Sequence, residues 1–319
     1  MKKYPSDLEI AQAAKKEPIG DIASKLDIDS GGLIPFGNDK AKITYDFIDK
    51  VKNNKDGNLI LVTAISPTPA GEGKTTTSVN LSASLQKTGA RTLLVDMDPQ
   101  GNATMGCGVD KHQLEYSNFH WLLGEASLED TWRQSSAGFR LIPANTDLTA
   151  AEVALLQAND RGQRLSRRLA AVEAGLDYII IDCPPTLTLL TINALFAADG
   201  VLIPMQCEYY ALEGLTDLLE TVEGVRSSGN STIEIEGILR TMYDPRNSLT
   251  GEVSKQLIEH FGDQVFRTVI PRNVRLAEAP SHGLPAMLYD AYSRGAVAYH
   301  ALAAEMIRRH TQKEGPWGE

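Results

Sequence analysis

The chain has 319 residues, of which 42% are hydrophobic and 23% are charged, as is typical of one large globular α/β domain with or without an extension. No apolar run approaches the ~18 residues that span a membrane, and the first residues lack the apolar stretch of a secretory signal. The net charge of −10 argues against a broad nucleic-acid surface, although it allows a local basic patch.

Residues 1–57 are predicted to form a helical extension, followed by one main domain over residues 58–319. The helical patterns of the extension lie at 7–14, 19–26 and 41–51. The polar run KNNKDG then leads into the first strand of the main domain.

A phosphate-binding loop is predicted between a buried strand over 58–64 and a helix over 75–87. Backbone N–H groups at the start of this helix are expected to face an anion. Lys74 would reach the β- and γ-phosphates of a nucleotide, and the Thr75 hydroxyl would bind Mg²⁺. The nucleotide-binding candidates are Gly71, Glu72, Gly73, Lys74, Thr75 and Thr76. The match is partial because Thr68 replaces the first glycine of the usual pattern, so a Gly-rich turn without a ligand is the alternative.

Apolar strands alternate with helical patterns through the rest of the chain. The strands are predicted at 91–95, 139–143, 178–181, 200–204, 233–241 and 265–270. The helices are predicted at 148–158, 163–174, 186–198, 212–226, 253–261 and 291–310. This alternation predicts an α/β fold of the P-loop NTPase type, with a mostly parallel twisted sheet covered by helices on both faces. The three cysteines are widely spaced, form no metal pattern and indicate a reducing compartment.

Carboxylates follow two of these strands. Asp96 and Asp98 follow the run RTLLV, and Asp182 follows the run YIII. Ligands of such sheets bind outside the carboxyl ends of the strands, where carboxylates serve Mg²⁺ or orient an attacking water. Asp98 and Asp182 are therefore predicted as both catalytic and metal-site residues. Lys74 is the further catalytic candidate, and Thr75 is the further metal-site candidate. Because Asp96 and Asp98 alternate, only one of them should face the nucleotide, and a helix cap is the alternative for each.

From about residue 75 to residue 310 the chain resembles the ParA-type chromosome-partitioning ATPases, a group that includes MinD. The resemblance lies in the segments KTTTSVNLSASL, LLVDMDPQGNAT, YIIIDCPPTLTLLTINAL, QCEYYALEGL, TMYDPR and VIPRNVRLAEAPSHGLPAMLYDAYSRGA. It implies that Asp98 positions or activates the attacking water and that Asp182 supports Mg²⁺ through water. It also implies that Pro271 and Asn273 lie near adenine.

The same resemblance implies partners and a location. Proteins of this family bind ATP with Mg²⁺, form a homodimer on ATP binding, bind DNA non-specifically and meet a ParB-like activator of their slow hydrolysis. Arg246 and Arg275 match their DNA-binding positions, and Arg272 and Arg294 are weaker candidates. For any single arginine, the alternative is a solvated surface charge. The expected location is the cytoplasm, in association with the nucleoid and not with a membrane, because the last helix lacks a strong apolar face beside its basic end.

The first 77 residues resemble a different family, formate–tetrahydrofolate ligase. This resemblance lies in PSDLEIAQAAKKEPI, KAKITYDFIDKVK and GNLILVTAISPTPAGEGKTTT. The chain is therefore interpreted as a chimera of two families joined inside the P-loop, with a natural fusion, a recombined gene and a deliberate chimera as the alternative origins.

The junction changes one position of the loop. ParA-type loops carry a lysine that reaches the partner's nucleotide, and Pro69 occupies that position here. A trans-acting cation contributes roughly 10³–10⁵ in rate in related systems. A chimeric nucleotide-binding protein with little or no hydrolysis is therefore the alternative function, and formate–tetrahydrofolate ligase activity is a less favoured third hypothesis.

Overall fold

The computed structural model describes residues 18–25, 30–35, 41–44, 58–62, 73–158, 160–172, 175–208 and 211–313. The chain divides into two compact units, Met1–Asp56 and Gly57–Glu319.

The first unit contains a helix and a small antiparallel sheet. The helix predicted at 19–26 is confirmed as α1, Ile19–Lys25, and a 3₁₀ turn spans Ser30–Gly32. Strand β1, Leu33–Pro35, pairs with β2, Ala41–Ile43, with Ile34 opposite Lys42.

The strand β2 contradicts part of the predicted helical extension. The helix predicted at 41–51 is wrong for Ala41–Ile43, whose backbone groups bond to β1 instead of to the next helical turn. Pairing with a neighbouring strand overrides the local helical pattern, which is a weak determinant over so few residues. The rest of that segment, and the helix predicted at 7–14, lie outside the described residues.

The second unit is built on an eight-stranded sheet with the spatial order β10-β9-β8-β3-β7-β4-β6-β5. Its strands are β3 Asn58–Val62, β4 Thr92–Asp96, β5 Arg133–Gln134, β6 Arg140–Ile142, β7 Tyr178–Asp182, β8 Gly200–Gln206, β9 Glu234–Tyr243 and β10 Val265–Pro271. All neighbouring pairs are parallel except β5 with β6. The predicted mostly parallel sheet is confirmed, and β5 is an edge strand that the sequence pattern did not reveal.

Helices connect these strands. They are α2 Lys74–Lys87, α3 Asn102–Gly106, α4 Asn118–Leu123, α5 Leu128–Thr131, α6 Leu148–Leu156, α7 Arg164–Leu169, α8 Leu189–Ala197, α9 Ala211–Ser228, α10 Ser248–Phe261, α11 Val274–Glu278, α12 Ala286–Tyr289 and α13 Arg294–Lys313. None of the described helices has the length and apolar character needed to cross a membrane.

Neighbouring residues of the central strands enter different hydrophobic clusters. Leu61 and Ile181 join a cluster that also contains buried leucines of the helices α6 to α10. Ile60 and Ile180 join a second cluster with residues of α2 and α13. Successive side chains of a strand point to opposite faces, so both faces of the sheet are covered by helices.

Candidate functional site

The site begins at the start of α2. Gly73 directly precedes this helix, its φ is 125°, and its carbonyl accepts the Thr77 N–H at 2.9 Å. A Cβ atom built on residue 73 would lie 3.2 Å from Thr241 Oγ1, so both the backbone conformation and the packing favour glycine. The predicted binding residues Gly71 and Glu72, and also Pro69, lie outside the described residues.

The strand register places Asp182 next to this helix. Val62 of β3, Asp182 of β7 and Asp96 of β4 are at the same level, at the carboxyl ends of three adjacent parallel strands. Asp182 Oδ2 accepts from Thr75 Oγ1 at 2.9 Å, and Oδ1 accepts from Ser78 Oγ at 2.8 Å. Thr75 and Ser78 are three residues apart and therefore share one face of α2.

Burial of Asp182 disfavours the ionised form of its carboxylate. Asp182 is fully buried, and desolvation raises its pKa to about 8 against the opposing effect of its hydrogen bonds from Ser78 and Thr75. The nearby Asp96 carboxylate also raises the pKa of Asp182. A cation beside Asp182 would reverse this effect, because an opposite charge favours the ionised form.

Lys74 is the first residue of α2 and is buried. Desolvation lowers its pKa, and the negative charges of Asp182 and Asp98 act in the opposite direction. A buried ammonium at a helix N-terminus beside two carboxylates is suited to neutralise the charge of bound phosphate groups. Thr76, two residues on, is half-buried, and its carbonyl accepts from the Asn80 side chain at 2.8 Å.

Asp96 and Asp98 have different surroundings. The Asp96 carboxylate accepts three hydrogen bonds, from Thr104 N at 2.9 Å, from Thr104 Oγ1 at 2.7 Å and from Asp98 N at 3.1 Å. Burial raises the pKa of Asp96 to about 6. Asp98 Oδ1 accepts from Gln100 N at 2.9 Å in the turn after β4. Asp96 is thus occupied in holding α3, which leaves Asp98 as the candidate to face a nucleotide.

A cavity of about 320 Å³ lies beside the ends of β9 and β10. Its lining residues are Tyr243, Asp244, Pro245, Arg246, Pro271, Arg272 and Arg294. The predicted adenine neighbour Pro271 and the predicted DNA contact Arg246 therefore share one cavity. Asn273, the other predicted adenine neighbour, is the N-cap of α11, and its Oδ1 accepts from Arg275 N at 2.9 Å.

The two predicted DNA contacts are both paired with carboxylates. Arg246, whose side chain is 87% exposed, makes two hydrogen bonds to Asp244, at 2.9 and 2.7 Å. The Arg246 guanidinium lowers the pKa of Asp244 to about 2. Arg275 pairs with Glu278 at 2.8 Å and lies 3.4 Å from Asp290.

Comparison with known proteins identifies the family. A model of the AAA domain matches residues 61–235. The chain is 51% identical to the sporulation initiation inhibitor protein Soj of Bacillus subtilis, across 77% of this chain and 97% of the relative. It is 46% identical to the chromosome partitioning protein ParA of Caulobacter vibrioides, across 81% of this chain and 97% of the relative. The chain belongs to the ParA/Soj family of partitioning ATPases.

The ParA/Soj fold also has a solved counterpart with nucleotide. The crystal structure of cobyrinic acid a,c-diamide synthase from Mycobacterium smegmatis with bound ADP and magnesium matches with a TM-score of 0.70 and 33% identity. The match covers 81% of this chain and 96% of the synthase. This likeness confirms the P-loop NTPase fold class.

A second family overlaps the ParA/Soj region. The formate–tetrahydrofolate ligase model matches residues 5–108 and therefore shares residues 61–108 with the AAA match. The predicted double resemblance is confirmed. The ligase match extends past the boundary expected at residue 77 and includes α2 and β4.

In this ParA/Soj-family site, the structure brings together Lys74, Thr75 and Asp182. Two further polar groups, Ser78 and Thr104, hold the carboxylates of Asp182 and Asp96 and were not predicted from the sequence. The spacing of Thr75 and Ser78 was the available signal for Ser78. Nothing in the local pattern marked Thr104, since it contacts Asp96 across eight residues of chain.

Proposed function

We propose that this P-loop ATPase binds ATP with Mg²⁺, hydrolyses it slowly, dimerises on ATP binding and holds DNA non-specifically during chromosome or plasmid partitioning. The observation that carries this proposal is the contact of Asp182 with Thr75 and Ser78, beside the buried Lys74. This contact brings together side chains that are suited to bind phosphate and magnesium at the carboxyl edge of a parallel sheet. Family membership and the nucleotide-bound counterpart support it.

Each polar residue has a role in this proposal. Lys74 neutralises phosphate charge, and the Thr75 hydroxyl donates to Asp182 while it keeps a lone pair for Mg²⁺. Bound Mg²⁺ would neutralise the charge that develops on the phosphate oxygens. The described part of the chain holds no group of three or more His, Cys, Asp or Glu side chains suited to a metal. The ion would therefore take most of its oxygen ligands from phosphate and water.

Asp98 is proposed to orient the attacking water, with Pro271 and Asn273 near the adenine. Gly71, Glu72, Gly73 and Thr76 would complete the phosphate-binding loop. The distinct surroundings of Asp96 and Asp98 support this division of roles, because the Asp96 carboxylate already accepts three hydrogen bonds.

The proposed DNA contacts are Arg246 and Arg275, with a ParB-like protein as activator. Both arginines are exposed enough to reach phosphate, with side-chain exposures of 87% and 50%. Arg272 and Arg294 line the same cavity as Arg246, which supports a local basic patch on an acidic chain. A few phosphate contacts would give weak, salt-sensitive binding.

One observation favours a second candidate, a nucleotide-binding protein with little turnover. Pro69 has neither a charge nor an N–H donor where ParA-type loops have a lysine. The partial match to formate–tetrahydrofolate ligase leaves a third candidate, which requires ADP release that depends on both formate and tetrahydrofolate.

The test compares the wild-type chain with Asp98→Asn and Asp96→Asn. Asp98→Asn is expected to slow ATP hydrolysis about 10²-fold or more and to change ATP affinity little, because positioning of the water is lost while the phosphate contacts remain. Asp96→Asn should instead lower the melting temperature, since the three hydrogen bonds to its carboxylate are disturbed.

ATP hydrolysis is measured at steady state, ATP binding by calorimetry and dimerisation by light scattering with ATP and Mg²⁺. Equal hydrolysis by wild type and Asp98→Asn would contradict the role of Asp98. Binding of ATP with no detectable turnover by the wild type would favour the second candidate.

A further inference from the structure

We propose that Thr241 is a positioning residue of the nucleotide site and that its hydroxyl donates a hydrogen bond to an oxygen of the nucleotide's phosphate chain. This inference rests on the proposed binding of ATP. Three features of the structure support it: an unpartnered hydroxyl, its place against the phosphate-binding loop, and an irregular strand pairing around its position.

The Thr241 hydroxyl is buried without a hydrogen-bond partner in the part of the chain that the structure describes. The residue is 2% exposed, and Oγ1 is shielded from solvent. Burying an unsatisfied hydroxyl is unfavourable, and a valine of the same shape would avoid the cost. A threonine in this position therefore suggests a partner that arrives with a ligand.

Thr241 faces the residue that opens α2. A Cβ atom on Gly73 would lie 3.2 Å from Thr241 Oγ1 and 3.7 Å from Thr241 Cβ. Gly73 is followed directly by Lys74, and the N–H groups at this helix start are the proposed phosphate ligands. The hydroxyl consequently lies at the edge of the phosphate site rather than elsewhere in the core.

The pairing of β9 with β10 shifts register around Thr241, whereas the pairing of Thr241 with Gln206 of β8 is regular. Val269 and Pro271, which are two residues apart on β10, pair with Arg240 and Tyr243, which are three residues apart on β9. A register shift of the kind that a β-bulge produces can re-aim a side chain next to an active site.

Met242 adds local strain at the same point. Its φ is 49°, which makes it the one non-glycine residue with positive φ in the described ranges. Its Sδ accepts from Gln206 Nε2 at 3.1 Å. A non-glycine backbone held in this sparsely populated conformation is a feature that clusters at ligand sites.

The test uses three variants of the full chain, Thr241→Val, Thr241→Ser and Thr191→Val. Thr241→Val removes only the hydroxyl and is expected to weaken binding of ATP with Mg²⁺ about tenfold, as for the loss of one hydrogen bond to a charged group. Thr241→Ser keeps a hydroxyl and should stay within about twofold of wild type.

Stability without nucleotide separates a ligand contact from a structural one. Thr241→Val should melt at or above the wild-type temperature, because it removes a buried group with no partner. Thr191→Val is the matched control, since the Thr191 hydroxyl donates to the Thr186 carbonyl at 2.8 Å. This control should melt lower and bind ATP as the wild type does.

Wild-type ATP affinity in Thr241→Val overturns the inference, and so does a fall of its melting temperature comparable to that of Thr191→Val. A wild-type chain that fails to bind ATP would instead count against the proposed function itself. The two failures are therefore distinguishable by calorimetry and thermal melts on the same four proteins.

Discussion

Two buried carboxylates lie side by side in the centre of the site. Asp96 and Asp182 are paired in the sheet register, and burial raises the pKa of both. Each is held by hydroxyl donors from a helix, Asp182 by α2 and Asp96 by α3. Burial therefore favours the protonated form of Asp182 in the nucleotide-free protein, and a bound cation would favour the ionised form.

The pH dependence of stability follows from this raised pKa. The pKa of Asp182 is about 8 in the folded chain and about 3.9 in an unfolded one. Between these values the folded state binds more protons, so this group's contribution to the free energy of unfolding falls as pH rises towards 8. In EDTA without nucleotide, the wild type should lose stability from pH 5 to pH 8.5 relative to Asp182→Asn.

Urea unfolding of both proteins across this range measures the effect. Other ionisable groups contribute to both curves, so the difference between the curves isolates Asp182. Parallel curves would show that Asp182 does not titrate between its unfolded value and pH 8.

At the scale of elements, most strands could be predicted, whereas contacts between distant elements could not. The apolar runs that form β3, β7 and β8 were located within two residues because buried parallel strands are continuously apolar. The helix predicted over the residues of β2 was wrong because these residues form a strand by pairing with β1. The two-residue strand β5 was missed because it is too short to show a period.

Some residues of the candidate site could likewise be predicted from the sequence, and others could not. Lys74, Thr75 and Asp182 could be placed from sequence because each follows or opens an element with a strong pattern. Thr241 could not, since its residue type fits an ordinary strand. Its missing partner is visible only once β9 and the start of α2 are packed together.

The proposed DNA contacts, Arg246 in the loop after β9 and Arg275 in α11, both form ion pairs. Asp244 binds the Arg246 guanidinium with both carboxylate oxygens and so competes with a DNA phosphate for the same donors. Asp244→Asn should therefore raise DNA affinity about threefold at low salt, the size expected for an exposed pair. Filter binding or fluorescence anisotropy with a random-sequence duplex measures it.

Asp177→Asn is the matched control for this prediction. It breaks the pair with Arg91, which has similar geometry and lies at the amino ends of β4 and β7, away from the proposed DNA contacts. Both variants change the net charge by the same amount. Equal increases would mean that net charge alone governs the affinity, and an unchanged affinity in Asp244→Asn would argue against Arg246 as a contact.

At the scale of the whole molecule, two family matches meet over residues 61–108. Both matches include the phosphate-binding helix α2 and the strand β4 of the parallel sheet. Lys74 and Thr75, the proposed phosphate and magnesium ligands, are both present in the chain. Pro69 stands where the resemblance to ParA-type loops places a lysine that acts in trans. We therefore expect the junction to affect coupling between protomers rather than nucleotide binding within one.

Pro69→Lys is expected to restore that coupling. ATP hydrolysis per chain should rise at least roughly tenfold and should increase with protein concentration, because a lysine acting in trans contributes only in the dimer. ATP affinity of the dilute protein should stay near wild type. Pro69→Ala is the control, since it removes the ring without adding charge and should leave hydrolysis low.

The decisive measurement is steady-state ATPase activity over a wide range of protein concentration for these three proteins. Equal rates for Pro69→Lys and Pro69→Ala would show that charge at this position does not limit turnover. A wild-type rate that already rises with concentration would show that another cation fills the role. Only this second outcome would show that the loop couples two protomers despite its proline.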